Sequence, residues 1–333
     1  MNAIDDLAVA TLEQKPHFVE TPYIQGVAGR ARDYIRAGYP IHFSGPAGTG
    51  KTALAMHVAA LLGRQLIVIH GDGGFGGADT IGGPMGCRSI KVIDKHIDAV
   101  PKREATVSKP WGDKRLTTAC KHGFTLIYEG LTHARPEANK VLLSVVERRL
   151  LALPDPSGED AYLPVHPNFS VIFTSNPEEY TGAHPTRDAL IDRMVTIKVG
   201  HHDYETEVAI TQSKSGLSWQ QSTAMVDIVR EFRTLGVNTG RPTIRACITL
   251  GRIAAQRDGG VAAYDPEFRQ LCREALNADC LKVTHDGQIA GIERLDEIIA
   301  RCCPAPTPVP SSKARYACAP APQGAVNFAG LRG

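Results

Sequence analysis

The stretch that most narrows what this chain can fold into is Ile41-His42-Phe43-Ser44-Gly45-Pro46-Ala47-Gly48-Thr49-Gly50-Lys51-Thr52. A short apolar strand leads into Gly45-x-x-x-x-Gly50-Lys51-Thr52, and a helix opens at Ala53-Leu54-Ala55. That spacing makes a phosphate cradle. Gly45 and Gly50 let the backbone curl until successive N–H groups point inward, and the following helix adds its positive N-terminus. Pro46, Ala47, Gly48 and Thr49 complete the loop. Lys51 is expected to meet the β- and γ-phosphates as a point charge, and the Thr52 hydroxyl to ligate Mg²⁺. A glycine-rich turn that ends in Lys-Thr by coincidence has no need of a strand before it and a helix after it. The chain is therefore expected to bind a nucleoside triphosphate.

Four further strands follow: Gln65–His70, Phe124–Tyr128, Ser170–Thr174 and Val195–Val199. Between the third and fourth lies a helix from Pro136 to Arg149, with Val141, Leu142, Val145 and Val146 on one face. A short helix, Asp188–Met194, feeds the fifth strand, and Leu151–Pro167 reads as a turn-rich connector. The glycines between Gly71 and Gly83 imply tight turns or a mobile loop. From Pro84 to Arg115 the pattern is mixed and basic, as in an insertion projecting from the core where partners are gripped. After His201 the period turns helical, with candidate helices at Tyr204–Lys214, Ser218–Thr234, Thr243–Gln256, Pro266–Leu281 and Ile292–Cys302.

Strands alternating with helices, then helices alone, predict an α/β nucleotide-binding domain over residues 18–200 and a smaller all-α domain over 201–302. Residues 1–17 read as a loosely held arm, and 303–333, rich in Pro, Ala and Ser, as a disordered tail or docking tether.

Charge and hydropathy exclude several classes of partner. A formal net charge of +2 sets up no global field for nucleic acid or an anionic membrane. No apolar run approaches the ~20 residues of a membrane span, and the N-terminus has no secretory pattern. The eight cysteines form no Cys-x-x-Cys pair, so a zinc site is not expected. Scattered thiols without an export signal fit the reducing cytosol, and a cytoplasmic protein is expected.

Hydrolysis needs more than a phosphate cradle. The end of the third strand should supply a carboxylate for Mg²⁺ and a second one to polarise the attacking water. Here that pair is Glu129-Gly130. Glu129 can hold the metal, but Gly130 has no side chain to act as a base, so either Glu137 substitutes or hydrolysis is slow. On that reading, Gly130→Glu should raise the rate. Asn176, closing the fourth strand, is either a turn former or a residue that orients water near the γ-phosphate. Arg193 is either a surface cation or a finger reaching the γ-phosphate of a neighbouring subunit. Arg245, with Arg241 as competitor, is placed to touch the nucleotide from the second domain. The segment Phe18–Ile24 precedes an Arg-rich helix and is either a packing loop or a lining for the base of the nucleotide.

Taken together, the P-loop, Ser175-Asn176-Pro177, Asp192-Arg193-Met194 and Ile244-Arg245-Ala246 resemble the AAA+ ATPases of the MoxR branch. Phe18–Tyr23, Arg115–Lys121, Arg135–Asn139 and Phe173–Tyr180 are similar to the gas vesicle GvpN family, and the likeness covers about residues 15–255. The resemblance implies an AAA+ P-loop core with a parallel five-stranded sheet in the order 5-1-4-3-2 and a small all-α lid. It implies ATP and Mg²⁺ as ligands, a homo-oligomeric ring (a hexamer by preference), and gas vesicle structural or accessory proteins as partners. Its function would be to assist assembly or enlargement of the vesicles. Two other readings stay open: an ATP-binding structural partner that barely hydrolyses, and an activator of a metalloenzyme or rubisco. The family's usual Asp-Glu is replaced here by Glu129-Gly130.

Overall fold

The computed structural model describes residues 18–71, 82–84, 111–113, 115–133, 136–153, 161–177, 189–235, 242–257, 260–278 and 290–303. The expected arm over 1–17, the tail from 304 onward and most of the 84–115 insertion lie outside the described residues.

The five apolar runs form one parallel sheet. Its strands are β1 (Ile41–Ser44), β2 (Leu66–His70), β5 (Thr125–Glu129), β8 (Ser170–Ser175) and β9 (Val195–Lys198), in the order β2-β5-β8-β1-β9. Counted along the core, that is the expected 5-1-4-3-2 read from the other edge. The strand side chains alternate between two apolar layers, as period-2 pleating demands. Ile41, Phe43, Leu66, Ile127 and Ile172 face α1 (Pro22–Arg36) and α2 (Lys51–Leu62). Ile67, Ile69, Leu126, Tyr128, Val171 and Phe173 face α3 (Arg115–His122) and α4 (Pro136–Arg148). A parallel sheet covered on both faces needs such strands, apolar on both sides.

The helical part comprises α5 (Tyr204–Ser215), α6 (Trp219–Thr234), α7 (Ile244–Ala255), α8 (Pro266–Ala275) and α9 (Ala290–Cys302). It encloses a core of its own around Val208, Met225, Ile228, Leu250, Phe268 and Leu295. Capping defines the helix starts: Asp203 accepts from Thr206 N–H at 3.0 Å, and Ser218 with Gln221 forms a capping box on α6. The two parts are tied where the Thr21 and Thr206 hydroxyls meet at 2.6 Å. Thr206 donates to Asp203 Oδ2 at 2.7 Å, so it is Thr21 that donates to Thr206.

Several boundaries depart from the expected ones. α1 starts at Pro22 with Thr21 as its N-cap, so Phe18–Ile24 is half approach and half helix. The supposed connector at 151–167 contains a hairpin, β6 (Leu150–Leu153) against β7 (Ala161–Pro164). Arg149 at φ 54 breaks the chain out of α4 and into β6. Its guanidinium reaches the carbonyls of His166 and Phe169, which holds the hairpin to the turn before β8. α8 stops at Ala275 rather than Leu281, with Asn277 at φ 52 just beyond it. Asn is among the few side chains that tolerate that region. A two-stranded ladder, β3 (Gly82–Pro84) against β4 (Trp111–Asp113), pairs the described residues on either side of the expected insertion. Among the described residues, no helix is long and apolar enough to cross a membrane.

Candidate nucleotide site

The P-loop runs from the end of β1 into the first turn of α2, and backbone packing sets its curl. Gly45 N–H donates to Ser175 C=O at 3.3 Å, while a Cβ on Gly45 would lie 1.9 Å from Val199 C=O. No larger residue fits there. Gly48 and Gly50 take φ 80 and 84, the left-handed region in which side chains other than glycine are strained. Thr49 ties the loop across to β9, its hydroxyl within 3.0 Å of Pro46 C=O and 3.3 Å of Val199 C=O. Lys51 is buried and donates to the carbonyls of Gly45 at 2.8 Å and Pro46 at 2.6 Å, which fixes its ammonium inside the loop.

This loop forms one wall of a cavity of about 790 Å³, a volume suited to a drug- or nucleotide-sized ligand. Thr52, Glu129, Gly130 and Asn176 line it beside the loop, so the ends of β5 and β8 converge on the cradle. Phe18, Val19, Glu20 and Ile24 line it from α1 and its approach, together with His57 of α2. Phe18 stacks on His57 with ring centroids 4.0 Å apart, and Glu20 Oε1 lies 3.6 Å from His57 Nε2. Burial lowers the His57 pKa, against the pull of Glu20. Phe18, Val19 and Ile24 make this end of the cavity apolar.

The helical part closes the third side through Ile244, Arg245, Ile248 and Arg252. Arg245 packs on the P-loop itself: the position of a Gly48 Cβ lies 3.5 Å from Arg245 Nε and 2.4 Å from Thr243 Oγ1. Its competitor Arg241 lies outside the described residues. His202, buried at the junction, hydrogen-bonds the backbone of Thr49, and burial lowers its pKa.

The residues present fit a divalent cation beside the cradle. Glu129 Oε2 is held 2.7 Å from His70 Nδ1, while Oε1 is buried with no hydrogen-bond partner among the described residues. A buried carboxylate oxygen left over on the wall of the cavity that the Thr52 hydroxyl also lines suits a hard cation that prefers oxygen ligands. Glu137 sits in the first turn of α4, but its side chain lies outside the described residues. Arg193 does not line the cavity; it bonds Ala189 C=O at 2.8 Å and Glu147 at 3.3 Å. Sequence reasoning missed His133, His202, Lys214 and Arg252, all of which line the cavity. Each is a lone polar residue whose position depends on tertiary packing, and no motif marks it.

Gly130 bears on one expectation, that a glutamate there raises the rate. It sits at φ 72, and a Cβ there would lie 2.9 Å from Gly71 C=O. A glutamate introduced at this position meets a backbone atom in a strained conformation, so Gly130→Glu does not simply restore a base. The variant is expected to lose about 1–3 kcal/mol of stability in denaturant unfolding and to show no gain in phosphate release.

The family model for the AAA domain (dynein-related subfamily) matches residues 40–194. The chain is 46% identical over 261 residues to the gas vesicle ATPase GvpN of Ancylobacter aquaticus, covering 78% of this chain and 73% of that one. It is 35% identical over 297 residues to the gas vesicle ATPase GvpN2 of Halobacterium salinarum, covering 89% and 83%. Protein NorQ of Paracoccus denitrificans is more distant, at 25% over 234 residues, covering 68% and 79%. By this domain and these relatives the chain is an AAA+ ATPase with a nucleotide-binding P-loop, and it belongs to the gas vesicle ATPase GvpN family.

Proposed function

We propose that this ATPase assists assembly or enlargement of gas vesicles by remodelling their shell proteins, with residues 18–200 as the nucleotide-binding unit and 201–302 as the lid. Family membership carries the gas-vesicle role. The remodelling reading draws on one contact: Arg245, on the first turn of α7, packs against Gly48 of the P-loop. A charge change at the γ-phosphate then biases how the lid sits on the core, and mechanical work needs such a link. Thr52 and Glu129 would hold Mg²⁺, which when bound neutralises charge on the phosphates. Lys51 and the loop N–H groups hold the phosphates, Asn176 orients the attacking water, and Arg245 contacts the nucleotide from the lid. In cells making gas vesicles, a chain carrying Lys51→Ala in place of the parent should leave few or stunted vesicles in electron micrographs. Vesicles of normal number and size would overturn the reading.

The missing side chain at Gly130 favours one alternative, a structural partner that binds ATP and hardly turns it over. Phosphate release by the purified protein separates the two.

The ring arrangement gives Arg193 its role. The side chain is about one-third exposed and held toward Glu147, away from its own cavity, as a finger serving a neighbouring subunit must be. Arg193→Ala is expected to bind ATP like the parent while losing hydrolysis, by about 10³-fold or more if the finger acts in trans. Hydrolysis at the full specific rate by a dilute, demonstrably monomeric sample would rule that role out.

A further inference from the structure

We infer that His42 is a positioning residue for ATP hydrolysis: through Ser175 it holds the end of β8 that spaces Glu129 and Asn176 from the phosphate cradle. The inference rests on the reading of the cavity as the ATP site, with those two residues at work in it. His42 is the second residue of β1, the strand that leads into the P-loop, and is 2% exposed. It pairs with Phe173 of β8 on one side and with Thr196 of β9 on the other. Its ring reaches both neighbours. Nε2 lies 2.7 Å from Ser175 Oγ, on the same face as Phe173, and Nδ1 lies 3.0 Å from Thr196 Oγ1. Burial lowers the His42 pKa to about 4, so the ring is neutral at physiological pH. A neutral imidazole offers one donor and one acceptor, so one hydroxyl accepts from the ring and the other donates to it. A strand buried on both faces is served by apolar residues, as Ile41 and Phe43 on either side of His42 are. A polar side chain in such a place destabilises the fold unless it is hydrogen-bonded, and here both ring nitrogens are. A network satisfied in this way specifies one geometry.

That geometry matters because of what the end of β8 carries. Thr174 C=O accepts from Gly130 N–H at 3.1 Å and from Leu131 N–H at 3.2 Å, which sets the chain just past Glu129. Ser175 C=O accepts from Gly45 N–H at 3.3 Å, which sets the start of the cradle. Asn176 is the next residue, and all three residues at this strand end line the cavity. β8 thus lies between the strand that ends in Glu129 and the strand that opens the P-loop. The paired register runs out at Thr174 and Ser175, and the imidazole braces this last rung from the side. Reacting groups displaced by about 1 Å lose about 10²-fold in rate. The cradle has ties of its own, from the Thr49 hydroxyl to Val199 C=O and from the Lys51 ammonium to Gly45 and Pro46. ATP binding therefore survives the loss of His42 while the chemical step slows.

The test uses the full chain with ATP and Mg²⁺. His42→Leu is expected to bind ATP in calorimetry as the parent does and to keep its KM, while kcat falls about 10²-fold. Ser175→Ala should lower kcat to a similar extent, and the two together no further than the larger single loss, because one acts through the other. Thr196 is exposed on an edge strand and does not line the cavity, so a loss of rate in Thr196→Val reaches the site through His42. Giving up that one bond should lower kcat about five- to tenfold. A parent kcat in His42→Leu overturns the inference, and so do losses that multiply in the double variant. A lower melting temperature and weaker ATP binding with kcat unchanged also overturn it, because a residue that only packs behaves that way. Should His42→Leu fail to fold, Thr196→Val decides: kcat at the parent's value overturns the inference. Failure of the parent itself to bind ATP would instead remove the reading of the cavity.

Discussion

Replacing Lys51 with alanine is expected to bring ATP affinity below what calorimetry detects, with the fold intact. The ammonium sits inside the loop, held 2.8 Å from Gly45 C=O and 2.6 Å from Pro46 C=O. Its side chain is fixed at the cradle's mouth by carbonyls that the backbone itself positions. A phosphate entering the loop meets a cation already desolvated and aimed, so little ordering is left to be done on binding. Removing one partner of such a buried charge pair costs about 2–5 kcal/mol, roughly thirty-fold to several-thousand-fold in Kd. Fold stability should change little, because neither carbonyl loses its place: Pro46 C=O keeps the Thr49 hydroxyl, and Gly45 keeps its N–H bond to Ser175. The measurement pairs a calorimetric titration with thermal unfolding with and without ATP. The parent should gain stability with ligand and the variant should not. ATP affinity equal to the parent's would sink the assignment of the P-loop.

What the sequence discloses here is local. The strands could be read to within about a residue because each is a short apolar run between polar turns. Their order followed from the family resemblance carried by the P-loop and the strand-end motifs. The cradle could be read because its spacing is itself the geometry. The β6–β7 hairpin could not: Arg149, with no glycine to announce a helix end, takes a positive φ and is held by carbonyls seventeen and twenty residues onward. The early end of α8 left a fainter signal in Asn277, a residue type suited to the left-handed region. Gly130 is the sharpest case. Read as a sequence, it is a missing carboxylate. In the fold it is a positive-φ position pressed against Gly71, with His133 turned back beside it. Whether a position tolerates a side chain depends on what crosses its path, and that partner is 59 residues away in the chain. The same holds for His202 and Arg245, which meet the P-loop only after the helical part folds back on the core.

The lid should prove as sensitive as the cradle. Glu207 on α5 is completely buried, with Arg230 Nη1 2.9 Å from Oε2 and Arg233 Nη2 3.0 Å from Oε1. Arg233 also donates through Nε to Pro242 C=O at 2.7 Å, one residue before the N-cap of α7. One carboxylate therefore links α5 and α6 and, through Arg233, sets the start of the helix that carries Arg245. Glu207→Ala leaves the Arg233 guanidinium, only 11% exposed, without its anion. Breaking a buried pair from one side in this way costs about 3–5 kcal/mol, so the helical part should unfold at distinctly lower denaturant than the α/β part. ATP affinity should fall as well, because Arg245 loses its fixed approach to Gly48. Replacing both sides, with Glu207→Leu and Arg233→Met, should be less damaging than Glu207→Ala alone, because no unpaired charge is then left inside. Arg230 is 37% exposed and can turn to solvent. The check is denaturant unfolding followed by a probe in each part, with tryptophan fluorescence from Trp219 reporting on α6. If Glu207→Ala unfolds in step with the parent and binds ATP equally well, the pair is peripheral and the start of α7 is held by the apolar packing of Ile244 and Cys247 instead.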